Sequence, residues 1–564
     1  MFGWCLLINK NGNSISLDKN KDWIYDDLGI SYFYKKYPKF ENDKIFISNN
    51  RYLVILDGII FNNNKLINRY SKKDWYETVI YMYETYGEEF YNDFRGSFNG
   101  VLVDKKNKKL ISFTNQIGDR TVFYYENNES VIIGSNFNYI VDLLKNNKIR
   151  YKLDETYVKY MLTFGFMLDE TTCIKNVKRL LPGHYLKYQC NEIRVKKYFE
   201  FKNDEISIAE DEALERINET FIKALQLEIN KDKEYGYKSI MDISGGLDSR
   251  TVNYVSKKIG YKNILNISYS QMDSYEEKVT RQLVKDLGFD YLFKALDNAS
   301  FIYEIDDIIE KNYGLTIFSG FTGGKQTLEA LNLDNIGIQH TGLLGDMNDG
   351  SFSSVSYHEK PYFEEKYRFS RLLEKSILDS KVLEKYKTHE LFCFYTRGLL
   401  GGLGTHLIRQ NYVETYSPFE DVDFLNMTFQ LPLDMRINGI FKKWLIKYYP
   451  EATKIVYDHT MCRITDSKIK IKLRKIFIYL PRKIKRFLGL KNSQKSNESM
   501  NPYEYWYRNN EELRRFIDLY YAENINQLDE YEELKRLNEN MYLNGNMIDK
   551  MLMMTVLGTI KRYF

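Results

Sequence analysis

The sequence predicts an α+β sandwich over about the first two hundred residues, then an α/β doubly wound parallel sheet with a helical C-terminal extension. Three observations predict it. Short apolar runs separated by turn residues crowd the N-terminal part. From residue 208 onward, strand-like and helix-like segments alternate at the lengths of βαβ units. Between Ser239 and Gly260 a strand, a double-glycine turn and a helix follow one another directly.

In chain order, residues 2–8, 45–47, 52–60, 101–103, 110–113, 122–125 and 131–133 read as strands, with Asn107-Lys108 and Asn127-Asn128 supplying turns. Trp75, Val79, Met82 and Tyr86 fall at helical spacing and predict a helix that stops at Gly87. This layer arrangement carries no function by itself. After a polar link at 202–207, Leu214, Ile217, Phe221 and Leu225 share one helix face. Residues 264–269 and 291–296 read as strands, and the helix between them, 276–288, aligns Val279, Leu283 and Leu287.

The chain is organised around residues 239–260. The apolar run ending at Ile243 is a strand; Ser244-Gly245-Gly246-Leu247-Asp248-Ser249 is the turn. Val252, Val255 and Ile259 mark the helix, with Gly260 at its C-terminal end. Two glycines let backbone N–H groups turn inward with no Cβ in the way, and the helix aims its positive end at the same spot. Asp248 suits the Mg²⁺ that accompanies a polyphosphate better than it suits a bare phosphate. The stretch is therefore expected to bind a polyphosphate nucleotide through Ile243, Ser244, Gly245, Gly246, Asp248 and Ser249.

That hexapeptide resembles the pyrophosphate loop of the N-type ATP pyrophosphatases, in the Leu-Asp-Ser variant of asparagine synthetases and their relatives. The segment 336–346 is similar to the family's second nucleotide landmark. The resemblance implies that Thr341 and Gly342 contact ATP and that Asp346 joins Asp248 in holding Mg²⁺. Leu343 and Met347 replace the family's acidic residues there, Tyr416 replaces its Arg in the 414–421 motif, and no lysine registers after Tyr449-Pro450.

The N-terminal part resembles class II glutamine amidotransferases through Met1-Phe2-Gly3-Trp4, residues 57–62, 95–104 and 118–125, and Leu181-Pro182-Gly183-His184-Tyr185. Its departures fall on the chemistry. Phe2 stands where the family has its nucleophilic cysteine and has no thiol. Asp57, before Gly58, replaces the oxyanion-stabilising Asn, and Ile59 replaces a Glu. Cys5 lies mid-strand and reads as a small buried thiol. The domain is expected to keep its fold and to lack glutaminase activity.

The expected organisation is a glutaminase-like domain at 1–201, an ATP-binding domain at 208–465, a basic segment at 466–499 and a helical extension at 500–564. Expected partners are ATP, Mg²⁺, a carboxylate substrate such as aspartate or a uronic acid, and ammonia or an amine, with a separate glutaminase as one ammonia source. The alternatives are an intramolecular cyclase of the β-lactam synthetase or lasso-peptide cyclase kind, a glutamine-hydrolysing asparagine synthase, and a nucleotide-binding protein without ligase chemistry. Oligomeric state is not legible.

A formal net charge of +4 spread over 564 residues gives no global case for nucleic acid. Five cysteines without a Cys-x-x-Cys pair fit a reducing, cytoplasmic setting and no zinc site. No run of about 18 apolar residues is present to span a membrane. His340, His358, His406 and His459 lack metal-ligand spacing and read as structural or surface groups. From Lys468 to Lys495 the chain is basic and amphipathic; it is either a solvated excursion, the reading the sequence alone favours, or a surface for anionic membrane.

Overall fold

The computed structural model describes residues 2–10, 17, 21–25, 29–348, 359–365, 368–374, 378–457, 461–467, 469–474, 476, 480 and 495–564. The N-terminal part is built on two six-stranded antiparallel sheets. The first runs Val177–Arg179, Phe123–Glu126, Ser130–Gly134, Gly3–Asn9, Ile30–Lys35, Ile24–Tyr25; the second runs Glu192–Lys197, His184–Gln189, Lys109–Thr114, Gly96–Asp104, Tyr52–Ile60, Ile45–Ser48.

Strand alternation assigns the faces. Trp4, Leu6 and Ile8 meet Leu53, Ile55, Val101 and Val103 between the sheets. Tyr52, Val54 and Leu56 turn the other way, onto Leu66, Trp75, Val79 and Met82 of the helices Asn63–Tyr70 and Trp75–Tyr86. Cys5 and Leu7 pack with Phe137, Ile140, Leu144, Tyr157 and Met161. The result is a helix–sheet–sheet–helix sandwich. The helix expected to end at Gly87 spans Trp75–Tyr86, capped by the Asp74 side chain, with Gly87 at φ 69°.

Three further helices in this part escaped the sequence reading: Asn63–Tyr70, Phe137–Asn146 and Glu155–Phe164. The last two carry ordinary side-chain caps at Asn136 and Asp154. Burial on nearly every face blurs their periodicity.

The second sheet system has five strands, all parallel, in the order Asp290–Ala295, Ile264–Ser270, Lys238–Asp242, Ile336–His340, Glu414–Tyr416. The chain starts at the central strand, moves out to one edge, then returns to the other side. The order therefore reverses between Lys238–Asp242 and Ile336–His340, and ligands of such sheets sit beyond the carboxyl ends of the strands at that reversal. Both faces are covered: Ile240, Ile267 and Ile336 enter one core, while Met241, Ile243 and Ile338 enter the other. The expected helix after the turn spans Asp248–Lys258, with Gly260 at φ 80° two residues beyond.

The C-terminal helix Met547–Tyr563 is buried along most of its length and bridges the two halves. Thr559 Oγ1 accepts a hydrogen bond from Tyr157 (2.8 Å), Tyr563 donates to Asn138 (3.0 Å), and Thr555 Oγ1 accepts the Phe318 N–H (3.3 Å).

Candidate functional site

The two turns singled out in the sequence leave the two strands that flank the reversal, and they touch. A Cβ on Gly342 would lie 2.5 Å from the Ser249 backbone N, and one on Gly345 would lie 2.3 Å from the Asp248 carboxyl carbon. Both glycines are therefore required by the approach of one loop to the other. Gly246 differs: a Cβ there would meet only the Ser244 hydroxyl, at 3.2 Å. Nothing in the protein demands a glycine at that point, so its bare backbone leaves room for an incoming group.

The loop amides turn inward. The Ser244 N–H donates to the Ser249 hydroxyl (2.9 Å) and the Gly246 N–H to the Ser244 hydroxyl (3.3 Å). The Gly245 N–H donates to a carboxylate oxygen of Glu276 (2.8 Å), a residue the sequence reading did not single out. Glu276 lies in the first turn of Tyr275–Leu287, whose N-cap is Ser274. An anionic oxygen already sits on a cradle amide, which is the chemistry expected of a phosphate oxygen there.

Ile243 keeps only its backbone at the site; its side chain is core. Thr341, almost fully buried, is held by a hydrogen bond from its N–H to the Tyr416 carbonyl (2.9 Å). Asp248 is half-buried and Asp346 exposed. In their chemistry, the carboxylates of Asp248 and Asp346 suit Mg²⁺, which takes oxygen ligands and keeps several of its waters. Leu343 and Met347 are genuine apolar replacements: both contact the core below the loop.

A cation that touches the loop is Arg250, 1% exposed. It donates to the carbonyls of Gly245 (2.9 Å), Ala452 (3.1 Å), Ile455 (3.0 Å) and Val456 (2.9 Å). Its work is to lock the 452–456 segment onto the turn. Lys454 and Arg463, cations that follow Tyr449-Pro450 in the chain, are exposed.

Beneath Thr341 lies His340, fully buried, with Nδ1 2.6 Å from Glu228 and Nε2 3.1 Å from Asp232 and 3.2 Å from the Ser239 hydroxyl. The structural reading of His340 agrees with this placement. Burial alone would lower its pKa, but the hydrogen bonds to Asp232 and Glu228 outweigh that and raise it from 6.5 to about 9. Burial raises Glu228 to about 7 against the opposing pull of His340. Both groups hold protons more tightly folded than unfolded. Their stabilisation is present at low pH, fades for Glu228 from 4.5 to about 7, and for His340 from 6.5 to about 9. Urea midpoints measured from pH 6.5 to 9 are expected to show a loss of about 3 kcal/mol in the native chain and a flatter profile in His340→Gln. Equal slopes in the two proteins would remove this network from the account.

His406, also fully buried, has Nε2 3.4 Å from Glu420; burial and the neighbouring Arg409 and Arg120 hold it neutral. His358 and His459 lie outside the described residues. Among the described residues no group of three or more His, Cys, Asp or Glu could hold a metal.

The positions where the N-terminal half departs from the amidotransferase pattern are structurally committed. Phe2 packs edge-on against Tyr37, ring centroids 5.0 Å apart. Asp57 accepts a hydrogen bond from Tyr34 (2.7 Å) and pairs with Arg120 (3.4 Å). Arg120 also pairs with Glu414 of the parallel sheet, and Glu414 pairs with Lys44 (3.3 Å). Gly58 (φ 116°) admits Arg120: a Cβ there would lie 2.9 Å from its Nε and 2.0 Å from the Ser97 carbonyl. Ile59 joins Phe61, Ile117 and Tyr416 in a shared core. Cys5 is buried, and desolvation pushes its thiol up to about 12.

Comparison with known proteins finds likeness to amidotransferases and asparagine synthetases. A glutamine amidotransferase domain model matches residues 42–199. Asparagine synthetase [glutamine-hydrolyzing] 1 of Bacillus subtilis is 21% identical over 46% of this chain and 41% of its own length. Amidase chry2 of Gibberella zeae is 23% identical over 41% and 36%, and the putative asparagine synthetase [glutamine-hydrolyzing] 2 of Methanocaldococcus jannaschii 21% over 55% and 60%. The chain thus spans about a third to three fifths of these relatives. Over these parts of its length, and with Phe2 where an amidotransferase would have its cysteine, the chain is similar to asparagine synthetases and their relatives.

Proposed function

We propose that this chain is an ATP-dependent amide-forming ligase whose glutaminase half is silent. One observation supports the reading: at the strand-order reversal the Ser244–Ser249 turn, with Asp248, meets Gly342 and Gly345, the residues that lead into Asp346. The substrate carboxylate attacks the α-phosphorus of ATP, giving an acyl-adenylate and pyrophosphate; an amine then attacks the acyl carbon and displaces AMP. The loop N–H groups would meet charge on the departing pyrophosphate once they exchange the side-chain oxygens of Ser249, Glu276 and Ser244 for phosphate oxygens. Mg²⁺ held by Asp248 and Asp346 would neutralise the same charge. Thr341 and Gly342 lie against the loop as a wall for the nucleotide.

Acceptors include aspartate, uronic acids and peptides. A tethered amine, as in a cyclase, is favoured over internally released ammonia by the state of Phe2 and Asp57. Carboxylate-dependent exchange of labelled pyrophosphate into ATP across an acid panel tests the reading. ATP binding with no exchange for any acid would leave a nucleotide-binding protein without ligase chemistry.

Phe2→Cys is expected to release no ammonia from glutamine above background. The thiol would gain a nucleophile's identity, but Asp57, clamped by Tyr34 and Arg120, would still face the developing oxyanion. Glutamine turnover by the native chain, or by this variant, would overturn the silent-glutaminase reading.

A further inference from the structure

The outer strand of a sheet carries a row of unpaired backbone groups, and folded chains blunt such edges with charge, proline, shortness or cover. The three sheets here end on Val177–Arg179, Ile24–Tyr25, Glu192–Lys197, Ile45–Ser48, Asp290–Ala295 and Glu414–Tyr416. All six are described in full, unlike the basic stretch 468–495, most of which lies outside the described residues. Five of them follow the rule. Ile24–Tyr25 has two residues, and Val177–Arg179 has three with Lys178 among them. Glu414–Tyr416 is buried. Glu192, Arg194, Lys196 and Lys197 charge one edge, and Asp290 and Lys294 charge another. Ile45–Ser48 has neither charge nor proline, and its Phe46 and Ile47 are 40 and 38% exposed.

The register tells which groups of that strand are free. The Asn49 N–H donates to the Tyr52 carbonyl (2.9 Å), and from that turn Ser48 pairs with Leu53, Ile47 with Val54, Phe46 with Ile55 and Ile45 with Leu56. Hydrogen-bonded pairs alternate along an antiparallel ladder. Ile45 and Ile47 therefore bond to Tyr52–Ile60, while Phe46 and Ser48 turn their N–H and C=O groups outward. Those outward groups meet no backbone partner among the described residues.

A cavity of about 660 Å³ runs along the same strand, and both faces of the strand line it. Ile45 packs with Trp75 on the helix side, so alternation puts Ile47 on that face too. Phe46 lies on the other face against Tyr34, with ring centroids 5.5 Å apart. The charged groups of the lining are already matched. Lys36 pairs with Glu41 (3.3 Å), Lys44 with Glu414 (3.3 Å) and Glu234 with Lys231 (3.0 Å), and Asp74 accepts the Glu77 N–H (2.9 Å). Outward N–H and C=O groups at two-residue spacing are complemented by another extended main chain. Matched charges around them suit a chain that brings no charge of its own.

We propose that Ile45–Ser48 docks an extended, uncharged peptide segment of another molecule as a seventh strand of the second sheet. Alternate side chains of that segment would lie over Ile47 on one face and over Phe46 on the other. The site is built on the N-terminal sandwich and stands whether or not the chain is a ligase.

Selection of random octapeptides displayed on phage against the full chain tests the proposal. Peptides with an uncharged, alternately apolar centre are expected to be enriched, and the strongest, made synthetically, should bind with little dependence on salt. With that peptide bound, the Phe46 and Ser48 amides should exchange with solvent at least about tenfold more slowly. Phe46→Pro/Ser48→Pro removes the two outward N–H groups and no ladder hydrogen bond, and should weaken binding at least about fivefold. Ile47→Lys keeps every backbone group, puts a charge on the apolar face, and should weaken binding to the same degree with an unchanged circular dichroism spectrum. A selection that enriches no peptide would overturn the proposal. So would enriched peptides that bind both variants as tightly as the native chain or leave exchange at Phe46 and Ser48 unchanged. A dimer of the native chain that Ile47→Lys converts to monomer would also overturn it, by making a second copy the occupant.

Discussion

Asp248→Asn is expected to lower carboxylate-dependent exchange of labelled pyrophosphate into ATP by about 10²-fold or more, and Asp346→Asn to do the same. The magnitude follows from the charge a metal ion neutralises on a departing pyrophosphate: several kcal/mol, at about 1.4 kcal/mol for each factor of ten. The amide variants keep size and polarity and remove the charge that attracts Mg²⁺. Neither change touches the hydrophobic core. Asp248 begins the helix Asp248–Lys258, where loss of a first-turn carboxylate costs under about 1 kcal/mol through the helix dipole. Thermal unfolding should therefore hardly move, and the loss should be partly offset at raised Mg²⁺. Exchange within about threefold of native in both variants would place the metal elsewhere.

The contrast with Arg250 sharpens that expectation. Arg250 touches four carbonyls and acts by holding the turn against residues 452–456. A lysine cannot reproduce its forked geometry. Its loss would disturb the loop and the fold together, whereas the aspartate variants separate chemistry from folding.

What the sequence revealed and what it hid divide along range. The strand Tyr52–Ile60, the helix Trp75–Tyr86 and the glycine turn at 244–249 are local patterns, and local sequence carries them. The meeting of Gly342 with Ser249 was accessible only through a family resemblance, because the two loops lie about ninety residues apart. Glu276 sits at an ordinary first-turn position, and nothing in its neighbourhood announces that its carboxylate reaches the Gly245 amide. The hairpin His184–Gln189 to Glu192–Lys197 turns on Cys190 and Asn191, both at positive φ (53° and 61°). A cysteine in the first of those places gives no turn signal. Asp57 was read as a defect in an oxyanion site. Its partners Arg120 and Glu414 come from distant segments, so its present employment as a structural anion could not be read from the motif.

That employment makes the second large expectation. Lys44, Asp57, Arg120 and Glu414 form one ion cluster between the N-terminal sandwich and the parallel sheet, and each side chain is at least nine-tenths buried. Glu414→Gln leaves Lys44 and Arg120 buried with one carboxylate between them. Breaking a buried pair in this way costs about 3–5 kcal/mol, because the remaining charges lose their compensation and water cannot reach them. Arg95→Gln at the partly exposed pair with Asp423 (3.0 Å) is the control, at about 1 kcal/mol or less. Differential scanning calorimetry should show the Glu414→Gln protein melting earlier, with the two halves separating into distinct transitions as their shared anchor fails. Arg120→Met/Glu414→Leu, which removes the central pair together, should recover part of the loss, since well-packed apolar groups avoid the desolvation cost. A shift in Glu414→Gln no larger than in Arg95→Gln would show that the cluster is screened. The N-terminal half would then be retained for some reason other than bracing the parallel sheet.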